Sequence, residues 1–219
     1  LTSTGTRTLT IASSANVTIG NASGLATATG TFSGGKTFTD GANYAVSVAT
    51  TTPLGVAISA NNFSTTESIT LNSALSITGT LSFGSVNDRT ITTGSNLTLI
   101  STSSATASIA DLTNAGVNSG NTITGNVTVE RYIPAKRSWR AITAPVSTTT
   151  SIYANWQENG TGNGTNGFDI WSNAGGTGII TGGSGSSLLE YNSSTNNWSG
   201  ITNTTISSSL LSGSVNKPF

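Results

Sequence analysis

The sequence has no cysteine, no histidine and no methionine, and only 7% of its 219 residues are charged. Without cysteine there is no disulfide framework and no thiolate to act as nucleophile or soft metal ligand. Without histidine, the side chain most often used as a general base and as a metal ligand is missing. Without methionine there is no start residue, and the chain begins at Leu1. It is therefore expected to be processed or to be one piece of a longer protein. Eight basic and eight acidic residues cancel to zero net charge. A neutral surface lacks the cationic face that displaces counterions from nucleic acid, so no nucleic-acid partner is expected. No run approaches the roughly 18 apolar residues of a spanning helix, so no membrane span is expected either.

Ser, Thr, Asn and Gly take the place of charge. The apolar 34% is distributed in alternation with hydroxyl residues. Before residue 130, apolar–hydroxyl–apolar tripeptides recur: Leu9–Ile11, Val17–Ile19, Val46–Val48, Ile69–Leu71, Leu75–Ile77, Leu81–Phe83, Leu97–Leu99 and Val127–Val129. This is the period-2 signature of a strand with one buried face. Turn formers such as Gly34-Gly35, Asp40-Gly41 and Gly94-Ser95-Asn96 lie between them. Ile69, Leu75 and Leu81 are six residues apart, as are Ile91 and Leu97. Such spacing occurs where short strands feed the corners of a β-helix. The segment from Asn21 to Phe63 does not keep it. Residues 1–130 are therefore expected to form a β-solenoid with irregular loops, the alternative being a β-sandwich with ordinary hairpins.

After residue 130 the composition changes. All four Trp fall there (Trp139, Trp156, Trp171, Trp198), with Tyr132, Tyr153 and Tyr191. Large aromatics bury much area, so residues 131–219 are expected to form a separate β-sandwich-like domain with an aromatic core. Asn159–Gly167 and Gly175–Ser187 read as surface loops within it. The fold class expected for the whole chain is all-β.

Chemistry is sparse. The eight carboxylates show no spacing that places two of them across a cleft, as a glycosidase pair needs. With no histidine, a nucleophilic serine has no ordinary base. The run Gly182-Gly183-Ser184-Gly185 lacks the Lys-Ser/Thr of a phosphate loop. No catalytic residue is expected. Calcium is the one conceivable cofactor, with Asp111 and Asn114 or Asp169 and Asn166 as oxygen donors, though neither set has a recognised loop spacing. The basic cluster Arg131, Lys136, Arg137 and Arg140 has two readings: a site for an acidic glycan, or arginines paired with carboxylates such as Glu130 or Glu158. Alternation through Val127 and Val129 puts Arg131 on their face, which favours a partly buried, paired Arg131. Trp156, Trp171 and Trp198 can stack on sugar rings if exposed, although a Trp in a small β domain more often belongs to the core. Thr-x-Thr pairs occur at Thr8/Thr10, Thr27/Thr29, Thr29/Thr31 and Thr37/Thr39, without the constant period of an ice-binding array.

The stretch Gly125-Asn-Val-Thr-Val-Glu-Arg-Tyr-Ile-Pro-Ala-Lys-Arg-Ser-Trp-Arg-Ala-Ile-Thr-Ala-Pro-Val146 resembles a segment of large repetitive surface proteins of Bacteroidota, of the flavobacterial kind. Asn155-Trp156-Gln157-Glu158, Gly167-Phe168-Asp169-Ile170, Leu189-Glu190-Tyr191-Asn192 and Asn197-Trp198 follow in the same order. The resemblance covers roughly residues 90–219. It implies export by the type IX secretion system, a cell-surface location, and a role like that of gliding-motility and adhesion proteins. It also implies a C-terminal domain that continues past Asn216-Lys-Pro-Phe219, and a sorting domain beyond it.

The function expected is thus a non-catalytic structural or adhesive module of a secreted cell-surface protein, a stalk or adhesin segment. The alternative is a carbohydrate-binding module of a secreted polysaccharide-processing protein, with Arg137, Arg140, Trp156, Trp171 and Trp198 as its ligand-binding candidates. Expected partners are other domains of the same protein, secretion-system or outer-membrane components, and a glycan or other surface ligand.

Overall fold

The computed structural model describes residues 15–20, 22, 24, 41–114, 117–134, 139–140, 142, 146, 148–160 and 167–206. The chain divides into two compact units, residues 1–135 and residues 136–219.

In the first unit, alternation of apolar and hydroxyl side chains produces short strands. These are β1 (Asn16–Ile19), β2 (Ala42–Val46) and β3 (Ile58–Thr65), then β4 (Ile69–Thr70), β5 (Leu75–Ile77) and β6 (Thr80–Ser82). Next come β7 (Thr90–Thr92), β8 (Leu97–Leu99) and β9 (Ser108–Ile109). An antiparallel hairpin of β10 (Thr113–Asn114) and β11 (Val117–Asn118) precedes β12 (Thr122–Thr124) and β13 (Val127–Val129). Apart from that hairpin, the described strands of this unit pair in parallel. The main sheet runs β1-β2-β3-β5-β8-β13, with β6 and β9 continuing from the second half of β3, and a second sheet runs β12-β7-β4.

Parallel neighbours need a crossover between them, so each turn of the chain lays its strands on those of the turn before. Ile58, Leu75, Leu97 and Val127 stand in register in one column, and Ala60, Ile77, Leu99 and Val129 in the next. Phe63, Leu81 and Ile109 make a third column, and Ile69, Ile91 and Ile123 a fourth. Most of these side chains are buried in a single core with Tyr44, Leu54, Leu71 and Phe83. Burying each large one contributes about 1.5–3 kcal/mol. The arrangement is nearly all β and consistent with a β-helix. The six-residue spacing takes on a definite meaning: Ile69, Leu75 and Leu81 occupy β4, β5 and β6, successive strands around one coil. Neighbouring coils are much further apart in sequence, since Leu75 pairs with Leu97 and Leu97 with Val127.

The longest strand, β3, is among those the tripeptide pattern misses. Ile58, Ala60, Phe63 and Thr65 point inward, with Asn61 and Asn62 both outside. The pairing with β2 shifts there, from Ala42–Ala60 to Tyr44–Phe63, so three residues of β3 oppose two of β2. This is a bulge, which breaks strict alternation and leaves extra backbone groups to satisfy. Asn43 Oδ1 accepts from Asn61 Nδ2 (3.2 Å), Asn62 N (3.3 Å) and Asn62 Nδ2 (2.9 Å). Asn62 Oδ1 in turn accepts from Thr80 N at 2.8 Å, passing the irregularity to the next coil between β5 and β6. Gly79 sits against it, and a Cβ there would lie 2.5 Å from Asn62 Oδ1 and 2.7 Å from the Asn61 carbonyl oxygen.

Asparagines at other corners tie each coil to an earlier one. Asn72 Oδ1 accepts from Leu54 N (3.1 Å) and Gly55 N (3.2 Å). Asn96 Nδ2 donates to the Leu71 carbonyl at 3.0 Å. Asn121 donates to the Val86 carbonyl at 2.7 Å and accepts from Arg89 N at 2.9 Å. These residues read in the sequence as turn formers, and they also replace backbone partners that the corners cannot offer.

In the second unit, Ser151 caps the short helix α1 (Ile152–Asn155), its Oγ accepting from Ala154 N at 3.1 Å. The parallel pair β14 (Trp171–Ser172) and β15 (Ile180–Thr181) and the antiparallel hairpin β16 (Leu189–Asn192) and β17 (Asn197–Gly200) follow. The core gathers Ile152, Ile170, Ile179 and Leu188, with Ile142, Trp156 and Ile201 packed against them. The expected aromatic core is therefore corrected: among the described residues this core is mainly aliphatic. Trp139, Trp171 and Trp198 are exposed.

Candidate functional site

Among the described residues, two surfaces gather side chains able to hold a ligand. The first is the outer face of the sheet β12-β7-β4. Ser68-Ile69-Thr70, Thr90-Ile91-Thr92 and Thr122-Ile123-Thr124 repeat one pattern on three coils. In each, the isoleucine enters the core and the flanking hydroxyls face out. Thr50 bridges to Ile69 in parallel, which adds the Ala49-Thr50-Thr51 rung below. Adjacent rungs are joined by side chains as well as backbone. Thr90 Oγ1 and Thr122 Oγ1 are 2.9 Å apart, Thr124 Oγ1 donates to Thr92 Oγ1 at 3.4 Å, and Ser68 Oγ accepts from Thr90 N at 3.1 Å. A shallow groove of ≈ 550 Å³ lies over this face, lined among others by Ala49, Thr51, Ser68, Thr70, Thr90 and Thr92.

The second surface is aromatic. On the β16–β17 hairpin Tyr191 pairs with Trp198, ring centroids 5.1 Å apart and tilted by 53°. Trp198 is 46% exposed. The two rings pack on each other while part of the indole stays exposed, and an exposed indole can pack on the apolar face of a sugar ring. Trp171 is 42% exposed and lies against the backbone of Gly182. Its backbone is held by Ser187, which donates N–H to the Trp171 carbonyl and accepts from Trp171 N, both at 2.8 Å.

The other expected site residues are dispersed. Trp156 is half-buried on the isoleucine cluster. Beside it Gln157 is fully buried and donates through Nε2 to the Gly178 carbonyl at 2.8 Å. Arg140 is half-buried; Lys136 and Arg137 lie outside the described residues. Arg131 is exposed, correcting the partly buried arginine expected from alternation. The strand ends at Val129, so the period-2 extrapolation stops two residues short of it. Glu130 instead accepts from Ser101 N at 3.2 Å. Of the calcium donors, Asp111 is engaged by Thr113, whose N–H (2.8 Å) and Oγ1 (2.7 Å) both donate to it. These bonds hold the Asp111 carboxyl below its ordinary range. Asn166 lies outside the described residues, as do the four Thr-x-Thr pairs of residues 8–39. No group of three or more metal-binding carboxylates stands together among the described residues, and no described helix is long and apolar enough to cross a membrane.

Sequence reasoning missed Tyr191 as a site residue and did not locate the rungs of the hydroxyl face. The repeated Ser/Thr-Ile-Thr triplets were a usable signal, but their unequal spacing in sequence hides the equal spacing in space. No family model, no curated protein and no solved structure matches the chain.

Proposed function

We propose that this chain is a non-catalytic structural and adhesive module of a secreted bacterial cell-surface protein, part of a stalk or adhesin in which other domains of the same protein continue the chain. The observation that carries this reading is the register of the first unit, where apolar columns such as Ile58, Leu75, Leu97 and Val127 run through consecutive coils. Stacked coils bury a continuous core while adding length, which suits a spacer. The hydroxyl and amide exterior carries little charge, so it resists nonspecific attraction to charged surfaces. Export by the type IX system, contact with outer-membrane components, and a sandwich-like second domain that continues beyond Phe219 belong to the same proposal. Its support is the resemblance of residues 125–146.

The test is surface labelling of the producing bacterium with antibodies to the 219-residue chain, together with deletion of this segment from its parent. Label outside the outer membrane and a shortened, less adhesive parent are expected. Label confined to the cytoplasm overturns the reading.

A second reading, a carbohydrate-binding module of a secreted polysaccharide-processing protein, draws on the exposure of Trp171 and Trp198 and on the Tyr191–Trp198 pair. Tryptophan fluorescence titration against a panel of polysaccharides tests it. Quenching that disappears in Trp198→Ala supports it, and unchanged emission with every glycan removes it.

A further inference from the structure

From the geometry of the first unit we infer a second adhesive site: the hydroxyl groove over β4 and β7 binds an extended, neutral polysaccharide chain. This deepens the adhesive part of the proposed function. It uses no residue of the aromatic surface.

The groove is a built surface. Its walls are outward side chains of parallel strands whose inward neighbours, Ile69 and Ile91, are buried to 3% and 1% exposure. The rungs are therefore fixed before any ligand arrives, and binding orders little that was free. Its volume of ≈ 550 Å³ matches the size of a short oligosaccharide segment.

Its chemistry selects the ligand class. Among the described residues, no charged side chain lines it. The flanking charges, Glu67 and Arg89, face each other at 3.6 Å, and Arg89 Nε also donates to the Thr66 carbonyl at 3.0 Å. An acidic or basic ligand would lose its hydration in the groove and gain no counter-charge. A neutral sugar loses less, and each hydroxyl it brings finds a group that can both donate and accept. Among the described residues, the Thr51 and Thr70 hydroxyls make no hydrogen bond of their own, so they are ready to serve. The γ-methyls of the same threonines offer apolar contact for the C–H faces of the rings.

Periodicity selects an extended chain over a single sugar. Thr51, Thr70 and Thr92 follow one another on successive rungs, about 4.8 Å apart. A polymer lying across the rungs meets an equivalent hydroxyl at each step. The same array could be imagined against ice, but an ice plane needs a flat field of hydroxyls free to bond water. Here the surface is grooved, and Thr90 and Thr92 are tied to Thr122 and Thr124.

The experiment is calorimetric titration of the 219-residue chain with neutral hexasaccharides (laminarihexaose, cellohexaose, xylohexaose) and with an alginate hexamer. Amide-shift mapping by NMR on the unmodified chain accompanies it. Saturable binding of a neutral hexamer is expected, with shifts at residues 49–51, 68–70 and 90–92. Thr70→Ala, which leaves the core untouched, is expected to weaken binding about tenfold, the effect of one lost hydrogen bond. Ser68→Trp fills the groove and should abolish it. Circular dichroism checks that both variants stay folded, and the shift map locates the site even if one does not. The inference is overturned by any of four results: no saturable neutral ligand, preference for the uronate hexamer, binding that survives Ser68→Trp but vanishes in Trp198→Ala, or inhibition of ice recrystallisation that Thr70→Ala removes. Because none of these concerns cell-surface location, the stalk reading fails or stands separately.

Discussion

Thr90 and Thr122 are 32 residues apart in the chain, and their hydroxyl oxygens are 2.9 Å apart in the structure. The contact exists because Ile91 and Ile123 enter the core on successive coils in register. Burial of one residue thus aligns its neighbours. A double-mutant cycle of Thr90→Val and Thr122→Val should return a coupling of about 0.2–1 kcal/mol, the range of cross-strand pairs. Urea denaturation of the four variants measures it. A coupling of zero would mean that the two hydroxyls bond to water instead.

Core and surface positions of the same rung should separate sharply. Leu97 is 1% exposed and lies between Leu75 and Val127. Leu97→Ala is expected to cost about 2–5 kcal/mol, through lost transfer energy and the cavity left behind. Thr98, its outward neighbour, should tolerate Val within about 0.5 kcal/mol. Equilibrium unfolding monitored by circular dichroism compares the two. Equal effects would contradict the inward and outward assignment.

Gly79 should be intolerant of any side chain. Its Cβ would overlap Asn62 Oδ1 and the Asn61 carbonyl oxygen, which is backbone and cannot swing aside. Gly79→Ala is expected to destabilise the first unit by about 1–3 kcal/mol, a cost of overpacking. Gly185→Ala, where a Cβ meets nothing within 4 Å, is the control and should be nearly neutral. Thermal melting of both variants decides.

Asp111 should titrate below the ordinary aspartate range, because Thr113 donates to it through its hydroxyl and its backbone N–H. A carboxyl whose folded pKa is depressed stabilises the fold above the unfolded value. That contribution fades as the pH falls through the folded value. Removing the hydroxyl bond in Thr113→Val should move the titration upward, toward the ordinary range. Carboxyl carbon shifts followed by NMR across the acid range read both proteins. A titration in Thr113→Val identical to the parent would assign the shift to another cause.

The four tryptophans should differ in accessibility. Trp139, Trp171 and Trp198 are exposed, while Trp156 packs on the isoleucine cluster. In variants that retain one Trp each, acrylamide should quench Trp139 most and Trp156 least. The reverse order would place the indoles differently from the structure.

Much of the first unit was legible in local pattern. Val17–Ile19, Leu75–Ile77, Leu97–Leu99 and Val127–Val129 are strands or parts of strands as their alternation implies, with β1 beginning at Asn16. Where alternation breaks, the reading failed. The bulge at Asn61-Asn62 hid β3, and Val46–Val48 proved to be the end of β2 and the turn after it. The aromatic surface was half legible: Trp171 and Trp198 were named from residue type, but their exposure and the partnership with Tyr191 depend on where the isoleucines pack.

Where alternation is unbroken, as in Leu75–Ile77, Leu97–Leu99 and Val127–Val129, sequence alone determined the strand and its apolar side, because both follow from a period of two that is written within a few neighbours. It also determined the neutral, hydroxyl-rich exterior, which is a matter of composition. The stacking of one coil on another was decided only in the tertiary structure. Leu75 meets Leu97 after 22 residues and Leu97 meets Val127 after 30, and loops of unequal length carry no local mark of where they will close. Burial of the apolar columns sets that register, and the register in turn brings Thr51, Thr70 and Thr92 into one groove.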